Sequence, residues 1–462
     1  MHRFLCAIVI IIGTPALAPA TDIPNIVVFL SDDHSQPHSS VYGATGLRTP
    51  NMERLAAAGI TFTNAFAASP SCAPSRAALL TGLMPARHGA EANHTKPRAE
   101  IKKLPAYLRE LGYQVVAFGK VSHYKHTADY GFDHFAHDGF HDHQVVPAAL
   151  KWLRERSSGQ PLAFFVGSNW PHVPWPDNLD GYDPRMVKLP PTLLDTPATR
   201  EAFCRYGTAV TRMDNELGQI LDSARARLGA NTLFLHTSDH GAQWPFAKWN
   251  CYDAGIRTPL IVVWPDVVAP GTRTDAMVSG VDILPTLIEA AGGTVPRELD
   301  GRSFIPVLRG EKTEHRDRIF TTHSGDGQMN IYPIRGLRTR QWKFILNLQP
   351  EFKFTTHIDR IKAEKETPYF ASWIEKAKSD PSAAGILERY HQRPRQELYD
   401  LAADPYEQYN LAGDPKFVDR MKAMQAELET WMSQQGDQRM VFNKPVLLDA
   451  VSKKCGELPR AE

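Results

Sequence analysis

At 462 residues, with 42% hydrophobic side chains, the chain is long enough for one large α/β domain and a smaller one. Its 52 Lys+Arg almost cancel 51 Asp+Glu, so no broad basic field is offered to a nucleic acid, and an anionic ligand has to be met by a local basic pocket.

The N-terminus, "MHRFLCAIVIIIGTPALAPATD", has a basic start and an apolar run from Phe4 to Ile12. Two small-residue patterns follow, Ala16-Leu17-Ala18 and Ala18-Pro19-Ala20. This reads as a secretory signal over residues 1–20, cut after Ala18 or Ala20, and too short for a persuasive membrane span. A buried N-terminal strand is the alternative. The signal predicts an exported protein, periplasmic or secreted, with no transmembrane segment once it is removed. Cys72, Cys204, Cys251 and Cys455 then remain, with no CxxC pair and no dense framework. If Cys72 is functional, at most one internal disulfide is possible, and its pair stays open.

In chain order, "NIVVFLSDDH" is the first continuous apolar run of the kind that forms a buried parallel strand. "NMERLAAAG" follows with helical spacing. Next comes "SPSCAPSRAALLTG", where Pro74 suits a first helical position and Gly82 a stop. Cys72 then lies at the positive, N–H-rich end of a short helix, with Arg76 four residues on. The plain alternative is a half-buried cysteine entering a core helix. "LPAYLREL", "VPAALKWLRER" and "RMDNELGQILDSARARL" continue the helices. "YQVVAFGKVSH", "PLAFFVGSNWPH", "NTLFLHTSDHG" and "TPLIVVWP" continue the parallel strands. The alternation predicts a doubly wound sheet with helices on both faces.

Four of the strands run into polar clusters: Asp32, Asp33 and His34; Lys120 and His123; Asn169 and His172; Asp239 and His240. Ligands of open α/β sheets bind outside the carboxyl ends of strands, so the four clusters are expected at one rim. Asp32, Asp33 and Asp239 are hard donors which, with His240, suit calcium or magnesium better than zinc. Arg76 and Lys120 add charge for anionic oxygens, and His123 and His172 add acid/base groups. This describes a site for a tetrahedral oxyanion ester, with sulfate and phosphate fitting equally.

Beyond about Asn330 the pattern changes. "PIRGLRTRQWKFILNL" reads as a hairpin, "ELYDLAADPYEQYNLAGDPKF" as strand and loop, and "FVDRMKAMQAELETWMSQQ" as an amphipathic helix. On one strand Arg338, Arg340 and Trp342 share a face, either solvated or gripping a polyanion. The six histidines of "HYKHTADYGFDHFAHDGFHDH" read as surface and rim residues rather than a transition-metal site.

"CAPSRAALLTG" resembles the C-x-P-S-R-x-x-x-x-T-G signature of the type I, formylglycine-dependent sulfatase family. "SDD" resembles its first metal pair, "TSDHG" its second, "GKVSH" its lysine–histidine element, and Lys248 in "FAKWNCYDAGIRTPLI" its second sulfate-contacting lysine. The resemblance implies an alkaline-phosphatase-like doubly wound mixed sheet over residues 21–330 and a smaller C-terminal antiparallel subdomain over residues 331–462. It also implies that Cys72 is oxidised by a maturation enzyme to formylglycine, whose hydrate attacks sulfur and later expels sulfate. Asp32, Asp33, Asp239 and His240, with residue 72, would hold calcium, or magnesium. Arg76 would hold the hydrate, Lys120 and Lys248 the sulfate, and His123 or His172 would protonate the leaving group. His240 stands where many members have Asn. His94 and His323 are further substrate-binding candidates.

Within the family, "YPIRGLRTRQWKFILNLQPEFKF", "RPRQELYDLAADPYEQYNLAGDPKF" and "TAVTRMDNELG" are similar to the heparan N-sulfatases, the N-sulfoglucosamine sulfohydrolases. His123, three positions after Lys120, instead follows the spacing of the iduronate-sulfate sulfatases, which keeps an O-sulfate of a glycan or an aryl sulfate as the alternative. A phosphate or phosphonate ester hydrolase of the same superfold, and a non-catalytic sugar-binding relative, are the readings from other classes.

Overall fold

The computed structural model describes residues 23–137, 139, 143–360 and 368–448; the expected signal segment, Cys455 and part of the histidine-rich loop lie outside them. The first four apolar runs become β1 (Asn25–Ser31), β3 (Gln114–Gly119), β5 (Leu162–Gly167) and β6 (Thr232–Ser238). They lie side by side and parallel. With β2 (Ile60–Phe66), β4 (His134–Ala136), β7 (Arg257–Val263) and β8 (Thr272–Ser279) they complete an eight-stranded sheet ordered β4-β3-β5-β1-β6-β7-β2-β8.

Both faces of this sheet are covered, which is why its central strands are apolar throughout. Ile26, Val28 and Leu30 of β1 join one core, and Val27 and Phe29 join the other. Helices α3 (Leu104–Glu110) and α6 (Ile283–Ala290) bury leucines in the first. Helices α1 (Pro50–Ala58), α4 (Val145–Glu155) and α5 (Pro197–Leu228) cover the second. Helix α2 (Cys72–Thr81) adds Leu79 and Leu80 to the first core and is buried along its whole length.

Three expectations need correction. "TPLIVVWP" forms β7, which is antiparallel to both β6 and β2. A strand covered on both faces is apolar in either direction, so periodicity carries no sign of its orientation. Helix α2 starts at Cys72, which puts Pro74 at the third rather than the first position, where its missing N–H is still no loss. Helix α5 starts at Pro197, fifteen residues before the expected "RMDNELG" segment, and is capped by Thr196, whose hydroxyl accepts from Thr199 N–H. In its first half Phe203 and Tyr206 pack against Trp244 and the segment is buried on more than one side, which hides the amphipathic spacing.

The C-terminal residues build a second, antiparallel sheet ordered β12-β11-β10-β9, from β9 (Arg318–His323), β10 (Ile334–Thr339), β11 (Trp342–Asn347) and β12 (Gln396–Asp400). The predicted hairpin is β10–β11, and the predicted amphipathic helix is α9 (Val418–Gln434), following α7 (Pro368–Ala377) and α8 (Pro381–His391). Met424, Leu428 and Met432 of α9 pack on Leu337, Phe344 and Leu398. Arg338, Arg340 and Trp342 do not share a face, because the hairpin turn falls between them. Arg338 is buried on Asp253 at 3.0 Å, Arg340 pairs with Asp275, and Trp342 packs against Phe417. They neither grip a polyanion together nor form a solvated stripe.

Candidate active site

The carboxyl ends of β1, β3, β5 and β6 bring Asp32 and Asp33, Lys120, His172, and Asp239 and His240 to one rim, where the N-terminus of α2 adds Cys72 and Arg76. Asp33 has a left-handed backbone, φ 65°, unfavourable for a residue with a Cβ. The Asp239 carboxylate fixes that turn: Oδ1 accepts from Asp33 N–H at 3.1 Å and from His240 N–H at 2.9 Å.

Three buried cations, Arg76, Lys120 and Lys248, face three buried carboxylates, Asp32, Asp33 and Asp239. Arg76 donates Nε–H to Asp239 at 2.9 Å and Nη2–H to Asp32 at 3.1 Å, and it also donates to the Lys120 and Ser31 carbonyls. Lys120 Nζ is 2.6 Å from Asp32 and Lys248 Nζ is 2.7 Å from Asp33. Burial opposes ionisation of Asp32, but Lys120 and Arg76 hold its carboxyl well below the usual range. Burial likewise opposes the charge on Lys120, and Asp32 overcomes it and raises the ammonium above its ordinary value. At Asp33 burial wins and its carboxyl is pushed up.

Cys72 Sγ lies 3.2 Å from His240 Nε2 and 3.6 Å from Lys120 Nζ. Burial pushes its thiol up, against the pull of Lys120 and Lys248, so an unmodified Cys72 stays protonated and is a poor nucleophile. One donor atom each from Asp33, Cys72, Asp239 and His240 falls within a 4.8 Å group. Asp33 Oδ1 is buried without a hydrogen-bond partner, and His240 Nδ1 sits 3.0 Å from the Gly241 carbonyl, which leaves Nε2 as the lone pair facing the group. These residues fit a divalent cation. Asp32, the fifth expected ligand, lies beside them with both oxygens engaged by Arg76 and Lys120.

A pocket of about 820 Å³ opens at Cys72, with His94, His123, His172, Lys248 and Asp326 in its wall. His172 Nδ1 is 2.5 Å from the Val173 carbonyl, and its Nε2 is 3.9 Å from Asp33 Oδ2. Burial, then Lys248 and Lys120, lower His172; burial, then Lys120 and His94, lower His123. His323 is fully buried, with Nε2 2.7 Å from Asn330 Oδ1, and it is not among the residues of the pocket wall.

Several neighbours escaped the sequence reading. Asn93 Oδ1 accepts from Ala73 N–H in the first turn of α2, and Tyr124 O–H accepts from Lys120. Asp326 accepts from Trp249 Nε1–H at 2.7 Å and faces His94 at 3.1 Å and His357 at 3.4 Å. Burial opposes its ionisation, but His357 and His94 hold its carboxyl well below the usual range. In sequence Asp326 stands in "SGDGQ", which has only the look of a polar turn.

Residues 24–293 match the sulfatase family model, and residues 240–368 match the model of the N-sulphoglucosamine sulphohydrolase C-terminal region. An ulvan-active sulfatase of Formosa agariphila is 31% identical over 427 residues, covering 90% of this chain and 81% of that protein. The human N-sulphoglucosamine sulphohydrolase is 28% identical over 506 residues, covering 98% of each chain. Among solved structures, BT4656 in complex with its substrate D-glucosamine-2-N,6-O-disulfate superposes with a TM-score of 0.68 at 20% identity, over 90% of this chain and 98% of that one. The phosphonate monoester hydrolase of Agrobacterium radiobacter gives 0.69 at 18% identity, over 92% and 99%. At such identities the structural likeness speaks for the fold alone.

Proposed function

Since this chain belongs to the sulfatase family, we propose that it removes sulfate from a sulfated sugar, with a terminal N-sulfoglucosamine as first substrate. The observation that carries the choice of sugar is the match of residues 240–368 to the N-sulphoglucosamine sulphohydrolase C-terminal model, a stretch that contains Lys248, Asp326 and His357 of the pocket wall. An O-sulfated sugar is the second reading, favoured by the Lys120–His123 spacing and by the similarity to the ulvan-active sulfatase.

In this reading Asp33, Asp239 and His240, with residue 72 and with Asp32 alongside, hold a calcium or magnesium ion, which supplies a Lewis acid for a sulfate oxygen. Formylglycine made from Cys72 by a maturation enzyme supplies, as its hydrate, the nucleophilic hydroxyl that the buried thiol does not. Lys120 and Lys248 neutralise the charge on sulfate oxygens in the transition state. Arg76 helps keep Asp32 ionised and holds Asp32 and Asp239 in place. His123 and His172 are neutral at rest, and an entering sulfate monoester adds negative charge beside them and favours a protonated ring. That proton goes to the departing sugar oxygen or nitrogen.

The test is sulfate release from N-sulfated, 6-O-sulfated and 2-O-sulfated monosaccharides, with a phosphate ester as control. Highest kcat/KM on the N-sulfated sugar is expected. A preference for either O-sulfated sugar moves the assignment to the second reading, and a preference for the phosphate ester removes both.

A further inference from the structure

Tyr124 stands in the pocket wall with φ 51°, a left-handed backbone that a bulky side chain avoids unless its surroundings impose it. Thr127 fixes that turn. Its hydroxyl accepts from Ser122 N–H at 3.1 Å and donates to the Tyr124 carbonyl at 3.0 Å, bracketing the strained residue. The side chain is thereby aimed at Lys120: the phenol oxygen lies 3.2 Å from Nζ, and the ring centroid 4.4 Å from it. Lys120 is fully buried and is not among the residues of the pocket wall, whereas Tyr124 is. On that side the ammonium reaches the pocket through the phenol.

An ammonium only donates hydrogen bonds, and this sets the direction of the contact. The phenol oxygen accepts from Lys120, so the phenol's own hydrogen is directed away from the positive charge. Burial, with Lys120 opposing it, pushes the phenol up to about 12, and it keeps that hydrogen at neutral pH. Accepting from a cation also makes the O–H a stronger donor. Lys248 differs. It is itself part of the wall, and its neutral partner is Gln243 Oε1 at 3.3 Å, an oxygen that can only accept.

We propose that Tyr124 is a catalytic residue that donates its O–H to a sulfuryl oxygen of the substrate, with Lys120 polarising it. The same ammonium lies 3.6 Å from Cys72 Sγ, so the phenol sits on the side of residue 72, from which sulfur is attacked. In an in-line displacement the departing sugar atom stands on the opposite side of sulfur, and the sulfuryl oxygens pass through a plane between the two. The hydroxyl is therefore matched to those oxygens and not to the departing atom. Its proton stays on the phenol throughout; the donor stabilises charge on the oxygen, and no bond to it forms or breaks. The inference deepens the sulfatase reading of this pocket, and it rests on sulfate-ester cleavage and not on which sugar is cleaved.

The test uses protein from a maturation-competent host. Sulfate release from 4-nitrophenyl and 4-methoxyphenyl sulfate is followed for the wild type, Tyr124→Phe, Lys120→Ala and the double variant. Phenylalanine keeps the ring against Lys120 and removes only the hydroxyl, and circular dichroism and melting temperature check the fold. Tyr124→Phe is expected to lose about 10²-fold in kcat, equally on both esters, the scale of one lost oxyanion donor. The loss in the double variant is expected to fall well short of the product of the two single losses, since the pair acts as a unit. Inorganic sulfate, added as a competitive inhibitor, is expected to bind Tyr124→Phe about tenfold more weakly than the wild type. Near-wild-type kcat, an unchanged sulfate affinity, or single losses that multiply in the double variant overturn the proposal. A loss that grows on the poorer leaving group overturns it too, because the phenol would then be serving the departing atom. A wild type that releases no sulfate from either ester removes the sulfatase reading itself, an outcome distinct from any change seen only in Tyr124→Phe.

Discussion

Cys72 is buried between His240 and Lys120 where the pocket opens, with its thiol kept protonated by burial. Protein from a maturation-competent host is therefore expected to carry an aldehyde in the peptide containing residue 72, read by mass spectrometry; active enzyme with only the thiol there removes the proposed chemistry. The two lysines beside it have separable partners, Asp32 for Lys120 and Asp33 for Lys248. Lys120→Ala and Lys248→Ala are each expected to lower kcat by ~10²–10³, the scale of one lost oxyanion donor, with circular dichroism unchanged. Away from the site, burial raises the Asp359 carboxyl to about 6, against donors at Thr356 N–H and Tyr390 O–H. Its folded value lies above the unfolded one, so the folded chain binds the extra proton between about pH 4 and 6 and loses stability as pH rises through that window. Asp359→Asn keeps an oxygen acceptor without the charge. It should gain in melting temperature over the wild type at pH 8 and show no such gain at pH 4; an equal difference at both values places the effect elsewhere.

Helix α2 depends on its two ends. At the start, Ser75 O–H donates to the Asp239 carbonyl at 2.5 Å, which ties the first turn to the carboxyl end of β6. At the end, Gly82 at φ 66° donates its N–H to the Ala78 carbonyl and turns the chain away. A Cβ there would also meet Leu299 and Leu284 at 3.3–3.4 Å. Gly82→Ala is expected to cost about 1–2 kcal/mol in urea unfolding, mostly for the left-handed backbone, while the KM of the folded fraction stays put. No loss of stability would mean that the end of α2 relaxes freely. The stop at Gly82 was readable because only glycine fits such a position cheaply. The start at Cys72 was not, because a proline favours the first helical position but is tolerated through the rest of the first turn, where its missing N–H is no loss.

Across the whole molecule, the second sheet is fastened to the first by buried charge. Asp253, just before β7, receives Arg338 and Lys343 from β10 and β11, and Lys343 also reaches Glu407 at 3.1 Å. The pocket at Cys72 takes its wall from both regions, with His94 and His123 from one and Asp326 and His357 from the other, so folding of both is needed to form it. A cation held by Asp33, Asp239 and His240 binds only the folded chain and so stabilises it by mass action, about 2.7 kcal/mol at a hundredfold excess over Kd. A chelator is expected to lower the melting temperature, and calcium or magnesium to restore it; no response to either ion would remove the metal assignment.

By itself the sequence determined the central parallel strands, the polar clusters at their carboxyl ends, the cysteine at the head of α2 and the C-terminal hairpin. Each of these is written in residues close together in the chain: a covered strand is a short apolar run, and a motif is a fixed spacing. Only the tertiary structure decided the direction of β7, the burial of Arg338 on Asp253, and the meeting of Asp326 with His94 and His123. These depend on which distant segments pack together. A strand covered on both faces is equally apolar in either direction, and a polar turn residue such as Asp326 looks like any solvated aspartate until Trp249 and two histidines close around it.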